Sequence, residues 1–140
     1  MAKGPVPISL RSWYEQVGSV SFEGAHAALN PDGNETIDPL VVRPLEYICR
    51  GLVVNNIGGR IHLNVAPNAA RKAGVLRGTE YRVVIPNAGA DVRLENEPSD
   101  GYFVSYLRRA FQWGGFPGWA RAENPPAELI ARVTEGLLPI

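Results

Sequence analysis

Phe103-Val-Ser-Tyr-Leu-Arg-Arg-Ala-Phe-Gln-Trp-Gly-Gly-Phe-Pro-Gly-Trp119 decides how the rest of this chain is read. Phe103, Leu107, Ala110 and Phe111 recur at i, i+4, i+7 and i+8, the spacing of one face of an α-helix. Gly114 and Gly115 end that helix, because glycine enters the left-handed region at little cost. The segment carries two of the chain's three tryptophans and no nucleophile, metal ligand or phosphate loop. It is built to pack and to present aromatic surface, which favours a binding protein over an enzyme.

Working outward, helical and strand periods alternate. Pro5 and Pro7 precede a short helix with Ser9 as N-cap, Leu10, Trp13, Tyr14 and Val17 as its apolar face, and Gly18 as its stop. Ser19 to Phe22 alternates as a strand. Gly24 to Thr36 contains Asn30-Pro-Asp-Gly33 and reads as a surface loop. Its Asn34-Glu-Thr36 sequon carries no further weight without a secretion signal. Leu40-Val-Val42 reads as strand, and Pro44 opens a helix through Leu45 and Ile48. Gly51 to Gly59 is open between a strand at Leu52-Val-Val54 and a turn region.

Ile61, Leu63 and Val65 alternate with Arg60, His62 and Asn64, the pattern of a half-buried strand. Ala66 to Gly78 is polar and basic and reads as a solvated loop. Tyr81, Val83 and Ile85 alternate again and stop at Pro86. Ala90, Val92 and Leu94 suggest a last strand, and Ser99 or Asp100 caps the long helix. Pro125 and Pro126 open a final helix with Leu129, Ile130 and Val133 inward. Gly136 ends it, and Leu137-Leu-Pro-Ile140 is expected to tuck against the core. Short links between strands favour antiparallel pairing over βαβ units. The expected fold is α+β: one domain over 1–140, an antiparallel or mixed sheet, and helices packed on one face.

Composition narrows the function classes. At 140 residues the chain buries a real core, and 45% apolar with 20% charged residues is ordinary for a globular protein. Lys plus Arg equals Asp plus Glu at 14 each, so net charge argues for neither nucleic acid nor an acidic partner. The charges are unevenly placed: five acids and one base from Glu23 to Glu46, six bases and one acid from Arg50 to Arg82. Either these stretches form separate faces, or they interleave and neutralise one another. Cys49 is alone in an apolar run and reads as a small buried hydrophobe. No apolar run reaches a membrane span, no signal pattern opens the chain, and a cytoplasmic location is the default expectation.

Catalytic and cofactor patterns do not emerge. His26 and His62 lack the partners of a metal or catalytic site, and no Gly-x-Ser-x-Gly elbow or phosphate loop is present. A hydrolase using either histidine is therefore a minor reading. Arg71, Lys72 and Arg77 suit a solvated loop better than a phosphate site, since only Tyr81 accompanies them. Arg108 and Arg109 lie on the polar side of the long helix. Trp113, Phe116 and Trp119 either cap the core or form an exposed patch, and capping is favoured because uncovered tryptophan is costly. If exposed, these residue types are those of interface hot spots. The candidate protein-binding residues are Arg108, Arg109, Trp113, Phe116 and Trp119, with His26, Asp32 and Glu35 from the acidic loop.

Pro7 to Gly18, Asp38-Pro-Leu-Val-Val42, Val65-Ala-Pro67, Tyr81 to Pro86, Phe103 to Gly118 and Thr134 to Ile140 together resemble a bacterial branch of the SUKH superfamily. The resemblance spans nearly the whole chain, and the Tyr-Leu-Arg…Trp-Gly-Gly-Phe-Pro-Gly segment carries most of it. Similar bacterial sequences read Ala-Pro-Asp, His-Lys and Ser-Gly-Gly where this one has Ala66-Pro67-Asn68, Arg71-Lys72 and Leu76-Arg77-Gly78. The resemblance implies a SUKH-like α+β fold and an immunity protein that binds and neutralises a cognate toxin domain, without catalysis or cofactor. The alternative from a different class is a structural subunit that forms a homo-oligomer through its apolar C-terminal tail.

Overall fold

The structure is a computed structural model, and it describes residues 4–23, 37–50 and 56–138. Its elements in chain order are α1 (Ile8–Gln16), β1 (Val20–Ser21), β2 (Val41–Val42), α2 (Leu45–Arg50), β3 (Asn56–Ile57), β4 (Arg60–Pro67), α3 (Ala69–Lys72), β5 (Glu80–Ile85), α4 (Phe103–Gln112), a 3₁₀ turn (Pro117–Arg121) and α5 (Ala127–Thr134). All pairing between strands is antiparallel: β1 with β2, and β3–β4–β5 in sequence order. The molecule is α+β, as the alternating periods lead one to expect.

The period-2 strands fold as their pattern dictates. Ile61, Leu63 and Val65 of β4 and Tyr81, Val83 and Ile85 of β5 are buried, while His62, Asn64, Arg82 and Val84 face the half-open side. A register shift between Asn64 and Ala66 lets Val65, Ala66 and Pro67 all be buried in succession. Leu10 and Trp13 of α1 and Phe103, Tyr106, Leu107 and Ala110 of α4 close over the buried face. The Trp13 and Phe103 rings meet edge to face with centroids 6.0 Å apart.

Two helix starts converge on one turn. The amides of Ile8 and Ser9 donate to the carbonyls of Gly89 and Ala90, at 3.2 and 2.9 Å. Asp91 accepts from the Ser9 hydroxyl at 2.7 Å and from the Val104 amide at 3.3 Å. Ser9 therefore ties α1 to this turn, and Pro7 holds the N-cap position. Neither Ser99 nor Asp100 caps α4. Asp100 sits at φ 51° in a turn closed onto Glu97, and the distant Asp91 supplies the capping carboxylate.

Other expectations also need correction. Ala90 to Leu94 forms no strand: Leu94 and Val92 bond to Gly101 and Phe103, and only Glu95 bridges to β5, at Arg82. Val92 and Leu94 are nonetheless buried, so the alternation reported burial and not pairing. Cys49 is exposed, one position round from buried Ile48 on a six-residue helix with a single inward face. Val17 is exposed just past the end of α1. Leu137 and Leu138 do not tuck in, and Leu138 is 83% exposed. The basic stretch after Ala66 contains α3, capped by the Asn68 side chain, which accepts from the Arg71 amide at 3.0 Å. The loop expected over Gly24–Thr36 and the strand weighed at Leu52–Val54 lie outside the described residues.

Candidate functional site

The aromatic turn folds inward. Gly114 and Gly115, at φ 63° and 97°, reverse the chain after α4. A Cβ on Gly115 would stand 2.0 Å from the Phe22 ring, so only glycine fits there. The Gly115 carbonyl accepts from the Leu40 amide at 2.7 Å and stitches the turn to the segment entering β2. Phe116 packs between Phe22 and Trp119, with centroids 6.2 and 4.8 Å away. Phe116 and Trp119 are buried, Trp119 to 3%, and Trp113 is half-buried. As contact residues, Phe116 and Trp119 are thus corrected to caps of the core. The apolar rings gain more from covering one another than from facing water.

Beneath this turn lies a chain of charges that sequence spacing did not reveal. Lys72, at the end of α3, points inward and places Nζ 2.5 Å from Asp38 Oδ1, with the two side chains 1% and 0% exposed. Asp38 Oδ2 accepts from the Tyr81 hydroxyl at 3.0 Å, and Arg121 Nη2 approaches it to 3.6 Å. Arg121 also lies 3.9 Å from Glu97 Oε1, which Arg109 Nη1 contacts at 2.8 Å. The order is Lys72, Asp38, Arg121, Glu97, Arg109, with charges alternating in sign. It joins α3, the entry to β2, the 3₁₀ turn, the turn before α4, and α4 itself.

Burial governs the titration of this cluster. Desolvation pulls the Lys72 ammonium below its usual range, and Asp38 opposes that shift. Desolvation and the Asp38 carboxylate hold the Tyr81 and Tyr106 phenols well above theirs. Lys72 Nζ also lies 5.1 Å from the Tyr81 ring centroid, a cation–π contact that helps hold the charge in place. Asp38 adopts φ 41°, a conformation aspartate tolerates better than most residues. Lys72, Asp38 and Glu97 are closed to water, while the Arg121 and Arg109 side chains reach the surface at 36% and 20% exposed. The cluster is therefore a clasp between loops, and it removes Arg109 from the set of free interface cations.

The remaining candidates are spread out. Arg108 is exposed on α4, pointing away from the core. His26, Asp32 and Glu35 lie outside the described residues. His62 is half-buried on the open sheet face, with Nδ1 3.5 Å from Glu95 Oε2. Among the described residues, no group of three His, Cys, Asp or Glu side chains converges to hold a metal ion. The structure does not gather the five described candidates, Arg108, Arg109, Trp113, Phe116 and Trp119, into one exposed patch.

A cleft of about 350 Å³ opens beside α3, lined by Ser21, Glu23, Arg43, Pro44, Pro67 and Arg71 among others. Glu80 sits between the two guanidiniums: Arg43 Nη1 is 2.9 Å from Oε2, and Arg71 contacts Oε1. Among the described residues, Asp38 of the acidic stretch pairs with Lys72 of the basic one, and the minority charges of the two stretches, Arg43 and Glu80, pair with each other. With Glu23 on the same cleft, its charges are balanced. It offers hydroxyl and guanidinium edges.

No protein-family model, curated protein or solved structure matches this chain. Among the described residues, no helix is long and apolar enough to cross a membrane. Function therefore rests on the chain's own residues.

Sequence reading missed Asp38, Lys72, Tyr81, Tyr106, Glu97 and Arg121 as one unit. One signal was present: Lys72 is four residues past Asn68, a capping residue, so a short helix in the basic stretch was available to turn one cation inward.

Proposed function

We propose that this protein is a binding module without chemistry of its own, and specifically a cytoplasmic immunity protein of the SUKH type that occludes a toxin domain. Apolar surface left uncovered on a tightly tied frame is the observation that carries the binding reading. Past α5, whose Leu129, Ile130 and Val133 are half-buried, Leu137 and Leu138 run into solvent at 45% and 83% exposed. Contiguous apolar side chains left in solvent mark surfaces that meet another protein. The sealed Asp38–Lys72 pair supports the same reading, since the strongest charge cluster serves the frame. The immunity role and the SUKH-like fold rest on the resemblance of Phe103 to Gly118 and the other segments given above.

A tagged chain recovered from its native host should retain one stoichiometric partner with a toxin-like catalytic domain. Co-expression should then restore growth to cells that make that domain. A chain that retains no partner, from a genome with no toxin gene beside it, would sink the immunity reading.

A second reading, a homo-oligomeric assembly subunit, is favoured by the exposed Leu137–Leu138 step, which a symmetric copy would bury. Light scattering over a concentration series separates the two, because the immunity reading expects a monomer without its partner.

A further inference from the structure

The loop from Asn68 to Thr79 is tied down at every turn and yet ends in the most exposed apolar side chain described. Leu76 is 96% exposed, and Val75 beside it is 41% exposed. The loop is closed at its base by the Asn68 amide donating to the Thr79 carbonyl at 3.1 Å, with a side-chain bond between the same residues at 3.1 Å. Within it, the amides of Gly74, Val75 and Gly78 donate to the carbonyls of Arg71, Ala70 and Val75, at 3.0, 2.9 and 3.2 Å. Gly78 passes so close that a Cβ there would stand 2.1 Å from Arg71 Cγ. From below, Lys72 pins the loop to Asp38 inside the core.

Such anchoring is at odds with a loop that merely solvates charge. A leucine held rigidly in water gains nothing within the chain. Held in one place, however, it binds with little further ordering cost. The cation beside it is Arg77, which is exposed, whereas Arg71 at the same loop is paired with Glu80.

We infer that Val75 and Leu76 form a preorganised knob that inserts into an apolar pocket on a partner protein, with an acidic side chain beside that pocket meeting Arg77. This deepens the binding reading and rests on it, naming the surface and the partner's chemistry. The exposed Arg77 beside the knob selects a pocket with acidic neighbours. Rim charges act mainly on the rate of encounter and on salt dependence, while the buried leucine sets the residence time.

The full chain, immobilised, is panned against a displayed library of random peptides. Winners should be apolar with acidic flanks. Leu76→Asp should weaken them about tenfold or more, and Arg77→Glu less, with affinity falling as salt rises. Val17→Asp, at an exposed position just past α1, should leave them unchanged. Both loop variants alter exposed side chains and should keep the parent melting temperature, so a binding loss is not misfolding. Winners that are basic, or that bind Leu76→Asp as well as the parent, overturn the knob while leaving binding through another surface intact. Self-association that Leu76→Asp abolishes overturns the hetero-partner in favour of a second copy. A library that yields no binder also overturns the knob, and the host pull-down then decides the broader reading by itself.

Discussion

The aromatic turn at Trp113–Trp119 and the basic loop at Asn68–Thr79 are both short, glycine-bounded connections, and they are built in opposite ways. The turn covers itself with rings: Phe22, Phe116 and Trp119 stack in series, and glycines let the backbone pass between them. The loop is anchored by an ion pair, and its only large apolar residues point outward. Apolar packing is non-directional, so the turn holds mainly by buried area, with the Leu40–Gly115 hydrogen bond beside it. A buried charge is tolerated only when a specific opposite charge and hydrogen bonds meet it, so the loop is fixed at one position. A surface that must be held in one place is served better by the second construction.

Two substitutions should hit hardest, one in each region, and their repair distinguishes the constructions. Trp119→Ala leaves a cavity and should cost about 3–5 kcal/mol in denaturant unfolding. Asp38→Ala leaves Lys72 buried without its partner and should cost a similar ~3–5 kcal/mol. Replacing both members, Asp38→Asn with Lys72→Met, should recover most of that loss, because asparagine tolerates φ 41° and keeps an acceptor for Tyr81, whereas no second change near Trp119 restores the missing ring. If the double variant is no better than Asp38→Ala alone, the clasp depends on the tyrosines and Arg121 more than on the pair.

Next in size is the response to alkali. The Tyr81 and Tyr106 phenols are raised in the folded protein above the 10.0 of the free side chain. Below pH 10 both states keep the proton and stability is full. As pH rises above 10 the unfolded chain loses protons that the folded chain keeps. Stability should therefore fall, by up to about 1.4 kcal/mol per pH unit for each tyrosine. Lys72, lowered from 10.5, has the opposite slope: the unfolded chain binds the extra proton, so its contribution rises with pH up to 10.5. Melting curves of Tyr81→Phe and Tyr106→Phe should show a shallower alkaline decline, and Lys72→Met should lack the rise.

Arg109→Ala strips the 2.8 Å partner from buried Glu97 and should cost about 1–3 kcal/mol, with Arg121 too distant to replace it fully. Arg108→Ala, one residue away on the exposed side of α4, should stay within about 0.5 kcal/mol. A large loss at Arg108 and none at Arg109 would reverse the assignment of these two neighbours. Smallest of all, Leu76→Asp should leave thermal stability unchanged within about 0.5 kcal/mol, since its side chain touches water already.

Much of the frame was legible because period and burial are locally coupled. The alternation in Arg60–Val65 and Tyr81–Ile85 became β4 and β5, and the i, i+4, i+7 spacing from Phe103 became the buried face of α4. Gly114, Gly115 and Gly136 all take positive φ where helices were expected to stop. The same reasoning failed where a partner comes from far along the chain. Val92 and Leu94 alternate like a strand, but their backbones bond to Gly101 and Phe103. Cys49 and Leu45 are apolar in sequence, but a six-residue helix has one inward face, which Ile48 fills. Of the site, the sequence showed which residues were aromatic or basic, without showing which side of the surface they would occupy.

By itself, then, the sequence determined the α+β class, the two main strands, the long helix and its glycine stop, since each depends on spacing within a few residues. Only tertiary structure decided that Lys72 would be enclosed and Leu76 exposed, a few positions apart in one basic stretch. The reason is physical: a lysine can be buried only if a carboxylate arrives to meet it. That carboxylate, Asp38, is 34 residues away in the chain and 2.5 Å away in the fold.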